Sequence, residues 1–192
     1  MSDVAATDGA NDTDPSPRPA HDRASLLATL ARMGIETTTV EHGAVHTVEE
    51  ASTVYRDLPG EHTKNLFVKD KKGRVFLVAV PSRARVALKE LHKVIGAQGR
   101  LSFGRPEQLY GLLGVRPGSV TLFGAVNDTQ GAVTVVMDRI IAEAEIVCAH
   151  PLENTATTAI GRDDLRRFLA ETGHAPMIVD VPRESPGDAS DS

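Results

Sequence analysis

The sequence predicts an α/β (α+β) fold with a mixed β-sheet, and three observations support this. Apolar residues make up 41% of the 192 residues, which is enough for a buried core. Short runs rich in β-branched residues outnumber the segments with helical periodicity. Helices interrupt these runs at irregular intervals, which favours a mixed sheet over a strict alternation of strand and helix.

The chain divides into one domain and two polar tails. Residues 1–20 and 183–192 contain few apolar side chains, so both are predicted to be disordered. Residues 21–182 form the predicted domain. Its low aromatic content (4%, with no Trp) means that Val, Leu, Ile and Ala must build the core.

Capping signals and apolar stripes mark the predicted helices. Asp22 is a plausible N-cap of the first helix, and Gly34 suits its C-terminal end. Thr47 and Glu50 form a capping box that opens the second helix. The predicted helices cover residues 24–33, 47–55, 87–95, 106–113 and a segment that begins near 163 and ends near 171.

The predicted strands are short and rich in β-branched residues. Gly73 supports a tight hairpin between the second and third of them. A loop at residues 114–121, rich in glycine and proline, is predicted to lead into a strand. Apart from the strand expected after this loop, the predicted strands cover residues 35–41, 66–69, 75–80, 133–137, 146–149, 155–160 and 177–181.

Cysteine content and hydropathy favour a cytoplasmic protein. Cys148 is the only cysteine, so an internal disulfide is excluded and a reducing compartment is expected. The N-terminus has no basic segment followed by an apolar one, so no signal peptide is expected. No apolar run approaches the roughly 20 residues that span a bilayer, so no membrane association is expected.

The net charge of −5 is unevenly distributed along the chain. The two tails carry −3 and −2, which leaves the domain neutral. Within the domain, residues 64–105 hold eleven Lys and Arg against Asp70 and Glu90, a net charge of +9. A basic segment of this size can face the phosphates of a nucleic acid, although solvated helix and hairpin faces would give the same count.

A polar stretch at residues 60–65 is the strongest candidate for a functional site. It is predicted to be a loop that runs straight into the apolar strand beginning at Leu66. The strand start anchors the loop end, so Lys64 and Asn65 are expected at a fixed edge suited to ligand binding. Taken alone, the sequence favours a solvent-exposed lysine at a strand edge for Lys64, and Asn65 could equally cap a turn.

Four stretches of the chain resemble the prolyl-tRNA editing-domain family, also called the YbaK or aminoacyl-tRNA-synthetase-associated domain. They are residues 60–73 (GEHTKNLFVKDKKG), 114–121 (GVRPGSVT), 150–158 (HPLENTATT) and 172–176 (TGHAP). The similarity covers roughly residues 21–182. Leu122, Ala149 and Glu153 depart from the family pattern, which has Pro, a bulkier residue and an apolar residue there.

The resemblance implies that the mixed β-sheet is partly barrel-like and surrounded by helices. It also implies a trans-editing deacylase that hydrolyses the ester of mischarged tRNA for proline, most closely the members that clear alanine. Relatives clear cysteine, serine or threonine. The implied partner is the aminoacylated end of tRNA, with a transient association with prolyl-tRNA synthetase, and neither metal nor cofactor is needed. A tRNA-binding or regulatory module without catalysis is the alternative from a different class.

Each candidate residue has a role under this interpretation. Lys64 would hold a phosphate or substrate oxygen, and backbone amides around Gly114 and Gly118 would stabilise an oxyanion. The substrate-binding candidates are Asn65, Pro117, Cys148 and His150. The basic segment would grip the tRNA backbone through Lys69, Lys71, Lys72, Arg83 and Arg85.

Other chemistries for the same residues remain open at this point. His150 could be a hydrogen-bonded wall histidine without a substrate. Cys148 lies two residues from His150, so a thiol nucleophile with a histidine base is conceivable. His42 and His46 have a spacing seen in some zinc sites, but Gly43 argues against a helix there.

Overall fold

The computed structural model describes residues 21–43 and 58–184. Its helices are α1 (Arg23–Arg32), α2 (Leu88–Val94), α3 (Pro106–Leu113), α4 (Arg139–Glu143) and α5 (Arg162–Glu171), with a 3-10 helix at Leu122–Asn127. Its strands are β1 (Thr37–Glu41), β2 (Glu61–Lys69), β3 (Val75–Pro81), β4 (Ser102–Phe103), β5 (Val133–Asp138), β6 (Ile146–Ala149), β7 (Ala156–Gly161) and β8 (Met177–Val179).

Within these residues the strands form one mixed sheet in the order β1-β7-β6-β2-β3-β5-β8, with β4 paired to β2. The pairs β2–β6, β3–β5 and β5–β8 are parallel, and the other pairs are antiparallel. The prediction of a mixed sheet flanked by helices is therefore confirmed.

Strand β3 is buried on both faces because helices cover the sheet on both sides. Val75, Leu77 and Ala79 point into a large core with α1, α3 and α5. The alternate residues of β3 belong to a smaller core with α2, which includes Leu91 and Ile95. Because side chains alternate along a strand, β3 contributes every second residue to each of the two cores.

The partners of β2 leave a gap in the sheet, and this gap matters for function. Antiparallel β3 occupies one edge of β2 from Thr63 to Lys69. On the other edge, β6 pairs with β2 at residues 61–62, and β4 pairs with it at residues 68–69. Between them, residues 63–67 have no strand partner on that edge in the part of the chain that the structure describes.

Most predicted elements are confirmed, with small shifts at their ends. Asp22 caps α1 through its side chain, which accepts from the Ser25 backbone. Gly34, Gly73 and Gly173 all have positive φ at the predicted ends and turns. Strand β4 and helix α4 were not predicted by any pattern in the sequence.

Two predictions about local structure are wrong. The segment after the glycine-proline loop is a 3-10 helix, not a strand, because Thr121 caps it by accepting from the Phe123 amide. Lys64 and Asn65 lie inside β2 rather than in a loop before it. Pairing with β6 and then β3 extends this strand to Glu61 despite its polar sequence.

The predicted capping box at Thr47 and Glu50 and its helix lie outside the described residues, as does the N-terminal tail at 1–20. At the other end, Arg183 forms a β-bridge with Val86, and the Glu184 amide donates to the Arg85 carbonyl. The folded body thus includes these two residues, which were predicted to belong to the C-terminal tail. Within residues 21–43 and 58–184, no helix is long and apolar enough to cross a membrane.

Candidate active site

A cleft of about 220 Å³ opens at the gap along β2. One wall is β2 itself, through Thr63, Lys64 and Asn65. Gly118 and Val120 of the glycine-proline loop and His150 after β6 complete the lining. The fold therefore brings together four residues that the sequence singled out: Lys64, Asn65, Gly118 and His150.

Asn65 is held in place but leaves one polar atom unused. Its Nδ2 donates to the Val120 carbonyl at 3.2 Å, which fixes the side chain across the gap. Its Oδ1 is buried and has no hydrogen-bond partner among the described residues. Since an unpaired buried acceptor is costly, this oxygen is suited to accept from a bound ligand.

His150 lines the cleft, and its tautomer is fixed by a backbone carbonyl. Its Nδ1 lies 3.0 Å from the Ala156 carbonyl, which can only accept, so this nitrogen carries the proton. Burial lowers the pKa of His150, the bond to Ala156 opposes this shift, and the nearby His42 adds to it. The ring is therefore neutral near pH 7, and its Nε2 is an acceptor.

Lys64 brings a positive charge that no described carboxylate neutralises within ion-pair distance. The neighbouring acid, Glu61, lies 3.6 Å from Arg83 instead. Lys64 itself is half-buried, so it is partly shielded from water. A cation in this setting attracts a phosphate or a developing oxyanion more strongly than one in bulk solvent.

The glycine-proline loop contributes backbone rather than side chains. Gly118 has a φ of 94°, and its N–H makes no backbone hydrogen bond within the described residues. Gly114 differs, because it is the C-cap of α3 and donates its N–H to the Tyr110 carbonyl. Of these two glycines, only Gly118 is therefore suited to donate to an oxyanion, and Pro117 lies exposed beside it.

Cys148 is separate from the cleft. Its Sγ is buried, and the nearest acceptors are the carbonyls of Leu58 and Pro59 at 3.8 and 3.9 Å. Burial raises the pKa of the thiol to about 11, with a further increase from Glu61. Since the thiolate is the nucleophile, this environment argues against a thiol mechanism. The sulfur packs where a Cβ on Gly60 would lie 2.9 Å away.

The predicted tRNA contacts are spread along β2 and β3 rather than clustered. Lys69, Lys71 and Lys72 lie at the hairpin end, where both turn lysines are exposed. Arg83 and Arg85 follow β3 at the opposite end and are also exposed. The two groups flank the cleft, so a long polyanion could contact both ends.

The structure does not favour a metal site at His42. Its Nδ1 lies 2.7 Å from the Gly43 carbonyl, and its Nε2 lies 2.9 Å from the Thr157 hydroxyl. Its sequence partner His46 lies outside the described residues. Within them, no group of three or more His, Cys, Asp or Glu is placed to hold a metal ion.

Sequence reasoning missed Thr63 and Val120 as cleft residues. The Thr63 hydroxyl donates to the Cys148 carbonyl at 3.0 Å, which joins β2 to the end of β6 beside His150. The available signal was the run of polar residues inside a strand, since a strand paired on both edges and covered on both faces would be apolar throughout.

Comparisons with known proteins identify the family to which this mixed sheet and its cleft belong. The model of the aminoacyl-tRNA editing domain matches residues 42–168. The chain therefore belongs to the aminoacyl-tRNA editing domain family.

Its relatives carry names linked to proline tRNA. Prolyl-tRNA synthetase associated domain-containing protein 1 of Danio rerio is 44% identical over 82% of this chain and 86% of its own length. Prolyl-tRNA editing protein ProX of Acetoanaerobium sticklandii is 32% identical over 82% of this chain and 96% of its own length.

The fold also matches solved structures. A candidate trans-editing enzyme for prolyl tRNA synthetase aligns with a TM-score of 0.63 at 22% identity, over 85% of this chain and 96% of that one. The hypothetical protein APE2540 aligns with a TM-score of 0.62 at 20% identity, over 83% of this chain and 99% of that one. At these identities the likeness concerns the fold.

Proposed function

We propose that this protein is a trans-editing deacylase that hydrolyses the ester between alanine and the terminal ribose of tRNA for proline. The observation that carries the proposal is that Lys64 and Asn65, consecutive residues of β2 whose side chains project to opposite faces of the strand, both line the cleft at the gap. Among the described residues, the first is a cation without a carboxylate partner and the second has a buried, unused acceptor. The names of the relatives supply the substrate class.

An ester is reactive enough to be cleaved without a protein nucleophile. Water attacks the carbonyl carbon, the bond to the ribose 3′ oxygen breaks, and that oxygen takes a proton as the amino acid leaves as an acid. The Gly118 N–H would stabilise the oxyanion, and Lys64 would hold the terminal phosphate or the same oxygen. Asn65 Oδ1 and His150 Nε2 would accept from the attacking water, the ribose hydroxyl or the substrate ammonium.

The proposed preference for a small amino acid follows from the limits of the synthetase. A synthetase pocket built for proline cannot strongly exclude a smaller side chain, since one methylene discriminates by only about 1–3 kcal/mol. A second site that admits alanine and sterically rejects proline corrects this weakness. His150, at the wall of the cleft, would supply the steric limit of such a sieve.

The partners follow from the same proposal. The cations at both ends of the cleft would hold the tRNA backbone: the half-buried Lys69 and the exposed Lys71, Lys72, Arg83 and Arg85. A free-standing editor acts after the synthetase has released or exposed the charged end, so transient association with prolyl-tRNA synthetase and a cytoplasmic location fit this role. No step in the proposed hydrolysis requires a metal or cofactor.

The first test is deacylation of alanyl-tRNA for proline by the purified protein, compared with prolyl-tRNA and with Lys64→Ala. We expect rapid loss of alanine, sparing of proline and a roughly 10²- to 10³-fold lower rate in the variant, the usual cost of removing a group that stabilises transition-state charge. Arg32→Ala, which removes an exposed cation from α1, is the matched control and should remain at the wild-type rate.

Two further arms separate the alternatives. Cys148→Ala should stay largely active, and a dead Cys148→Ala with an active Lys64→Ala would establish a thiol mechanism instead. If the protein leaves alanine on the tRNA, the same tRNA aminoacylated with cysteine, serine or threonine tests for another specificity. A protein that binds tRNA but hydrolyses none of these aminoacyl esters would be a binding module.

A further inference from the structure

Phe103 is the most exposed large apolar side chain in the part of the chain that the structure describes, with 62% of its surface accessible. A single exposed apolar residue is common and needs no explanation. Phe103 is different because of its position, since β4 forms one end of the gap in which the cleft opens. It therefore lies beside the proposed active site and has no role in the proposed chemistry.

The strand register places Phe103 on the same face of the sheet as Lys64. Phe103 lies directly opposite Val68 in the β2–β4 pair, and residues directly opposite each other share a face. Lys64 and Val68 are four residues apart on β2, so they also share a face. At the rise of a strand, this spacing corresponds to about 13 Å between them.

The segment that carries Phe103 is firmly seated. The next residue, Gly104, presses against the Phe67 ring so closely that an added Cβ would lie 2.3 Å from ring atoms. The Gly104 N–H also donates to the Phe67 carbonyl at 2.9 Å. An aromatic ring on a fixed backbone can bind a planar partner without first losing much conformational freedom.

The surroundings of Phe103 are basic. Lys69 lies opposite Ser102 in the β2–β4 pair, and the exposed Arg100 and Arg105 flank the strand in sequence. Asp70 is buried and bonded to backbone amides and Arg74, so the one exposed acid close to Phe103 in sequence is Glu107, in the first turn of α3, against the three cations. An exposed aromatic ring among cations is the arrangement by which proteins bind single-stranded nucleic acid.

We propose that Phe103 is a stacking platform for an unpaired base near the aminoacylated 3′ end of the bound tRNA. The inference rests on the proposed function for its ligand. Bases within a duplex are already stacked on both sides, so a lone exposed ring favours the single-stranded end. That end must enter the cleft to be hydrolysed. Phe103 lies one strand spacing beyond Val68, which is itself about 13 Å along β2 from Lys64, and this is within reach of the nucleotides next to the charged one.

The test compares Phe103→Ala, Phe103→Leu and Phe103→Trp in steady-state deacylation. Stacking on one base contributes enough that the first two variants should raise KM about five- to 150-fold and leave kcat unchanged. Phe103→Trp should retain a KM near that of the wild type, because it keeps a π-face. Ile140→Ala removes a residue with 51% exposure on α4 and serves as the matched control.

A binding measurement makes the outcome independent of turnover. With 2-aminopurine at an unpaired position of uncharged tRNA, wild-type protein and Phe103→Trp should quench the fluorescence, and Phe103→Ala should not. With tRNA that lacks its unpaired 3′ nucleotides, Phe103→Ala and wild type should bind equally.

The two hypotheses fail in different ways. A wild-type protein that quenches the probe but hydrolyses no charged tRNA refutes the proposed function and supports the platform. A wild-type protein that deacylates alanyl-tRNA, with Phe103→Ala keeping the same KM and quenching, overturns the platform alone. A Phe103→Leu variant that behaves like the wild type also overturns it, because leucine cannot stack.

Discussion

At the level of single residues, the cleft combines groups whose protonation is set by their surroundings. His150 is fixed as the Nε2 acceptor by the Ala156 carbonyl and is kept neutral chiefly by burial. Cys148, two residues earlier, is kept protonated by the same kind of environment. The desolvation that makes the histidine useful as an acceptor thus makes the cysteine inert as a nucleophile.

His150→Ala should convert a selective editor into a less selective one. Removing the imidazole from the wall enlarges the cleft, so the ring of proline should enter and prolyl-tRNA should be hydrolysed. We expect the ratio of alanyl to prolyl turnover, measured as kcat/KM, to fall at least about tenfold, the scale on which pocket size discriminates.

The acid limb of the pH profile is the second readout for His150. Because burial lowers its pKa from the ordinary 6.5, the wild-type ring stays neutral to a lower pH than a free histidine would. Activity that depends on Nε2 should therefore decline only below that value. A selectivity ratio unchanged in His150→Ala would contradict the assignment of this residue to the amino-acid wall.

At the level of secondary-structure elements, the β2–β3 hairpin is fixed by one buried carboxylate. The Asp70 side chain accepts from the backbone amides of Lys72, Arg74 and Gln98 and from the Arg74 guanidinium. Burial alone would raise the pKa of Asp70, but these bonds outweigh it and hold the pKa at about 2. The carboxylate thus joins the basic turn to the segment after α2.

Asp70→Asn should lower the melting temperature at neutral pH. A carboxylate whose pKa is about 2 when folded, against an ordinary value of 3.8, stabilises the fold fully above pH 3.8. That contribution is lost as the pH falls towards 2, so the two proteins should converge there. Asp180→Asn, which breaks an exposed pair with Arg139, is the control and should change the melting temperature little. A constant difference from pH 7 to pH 2 would show that the charge of Asp70 is not the cause.

Secondary structure that depends on interactions between neighbouring residues could largely be predicted from the sequence. The Asp22 cap, the Gly73 turn and the strand at 146–149 depend on neighbours in sequence, and the structure confirms them. The prediction of a strand after residue 121 was wrong, because the Thr121 side chain caps a 3-10 helix there. Strand β4 has only two residues, too short for any periodicity.

The candidate site residues were accessible from the sequence only in part, for the same reason. A specific motif identified Lys64, Asn65, Gly118 and His150, and the fold gathers them in one cleft. Thr63 and Phe103 were not singled out, because their importance comes from a gap between two strands that are distant in sequence. Long-range pairing of this kind is invisible to a single sequence.

At the level of the whole molecule, charge segregation reconciles an acidic protein with an anionic ligand. The chain carries −5 overall, yet residues 64–105 carry +9. The structure places that segment along β2, β3 and α2, so its cations border both ends of the cleft. Binding of tRNA should therefore be steered by local charge rather than by the net charge of the protein.

The salt dependence of tRNA binding tests this segregation. Removing one cation that pairs with a phosphate should reduce the slope of log K against log salt by roughly 0.7–0.9. Lys71→Ala with Lys72→Ala, at the exposed hairpin turn, should reduce it by about 1.5 and raise KM at moderate salt with kcat unchanged. Arg162→Ala with Arg167→Ala removes the same charge from α5, away from β2, and should leave the slope unchanged. Equal effects of both pairs would mean that tRNA responds to the total charge of the protein, and the hairpin would then not be a contact surface.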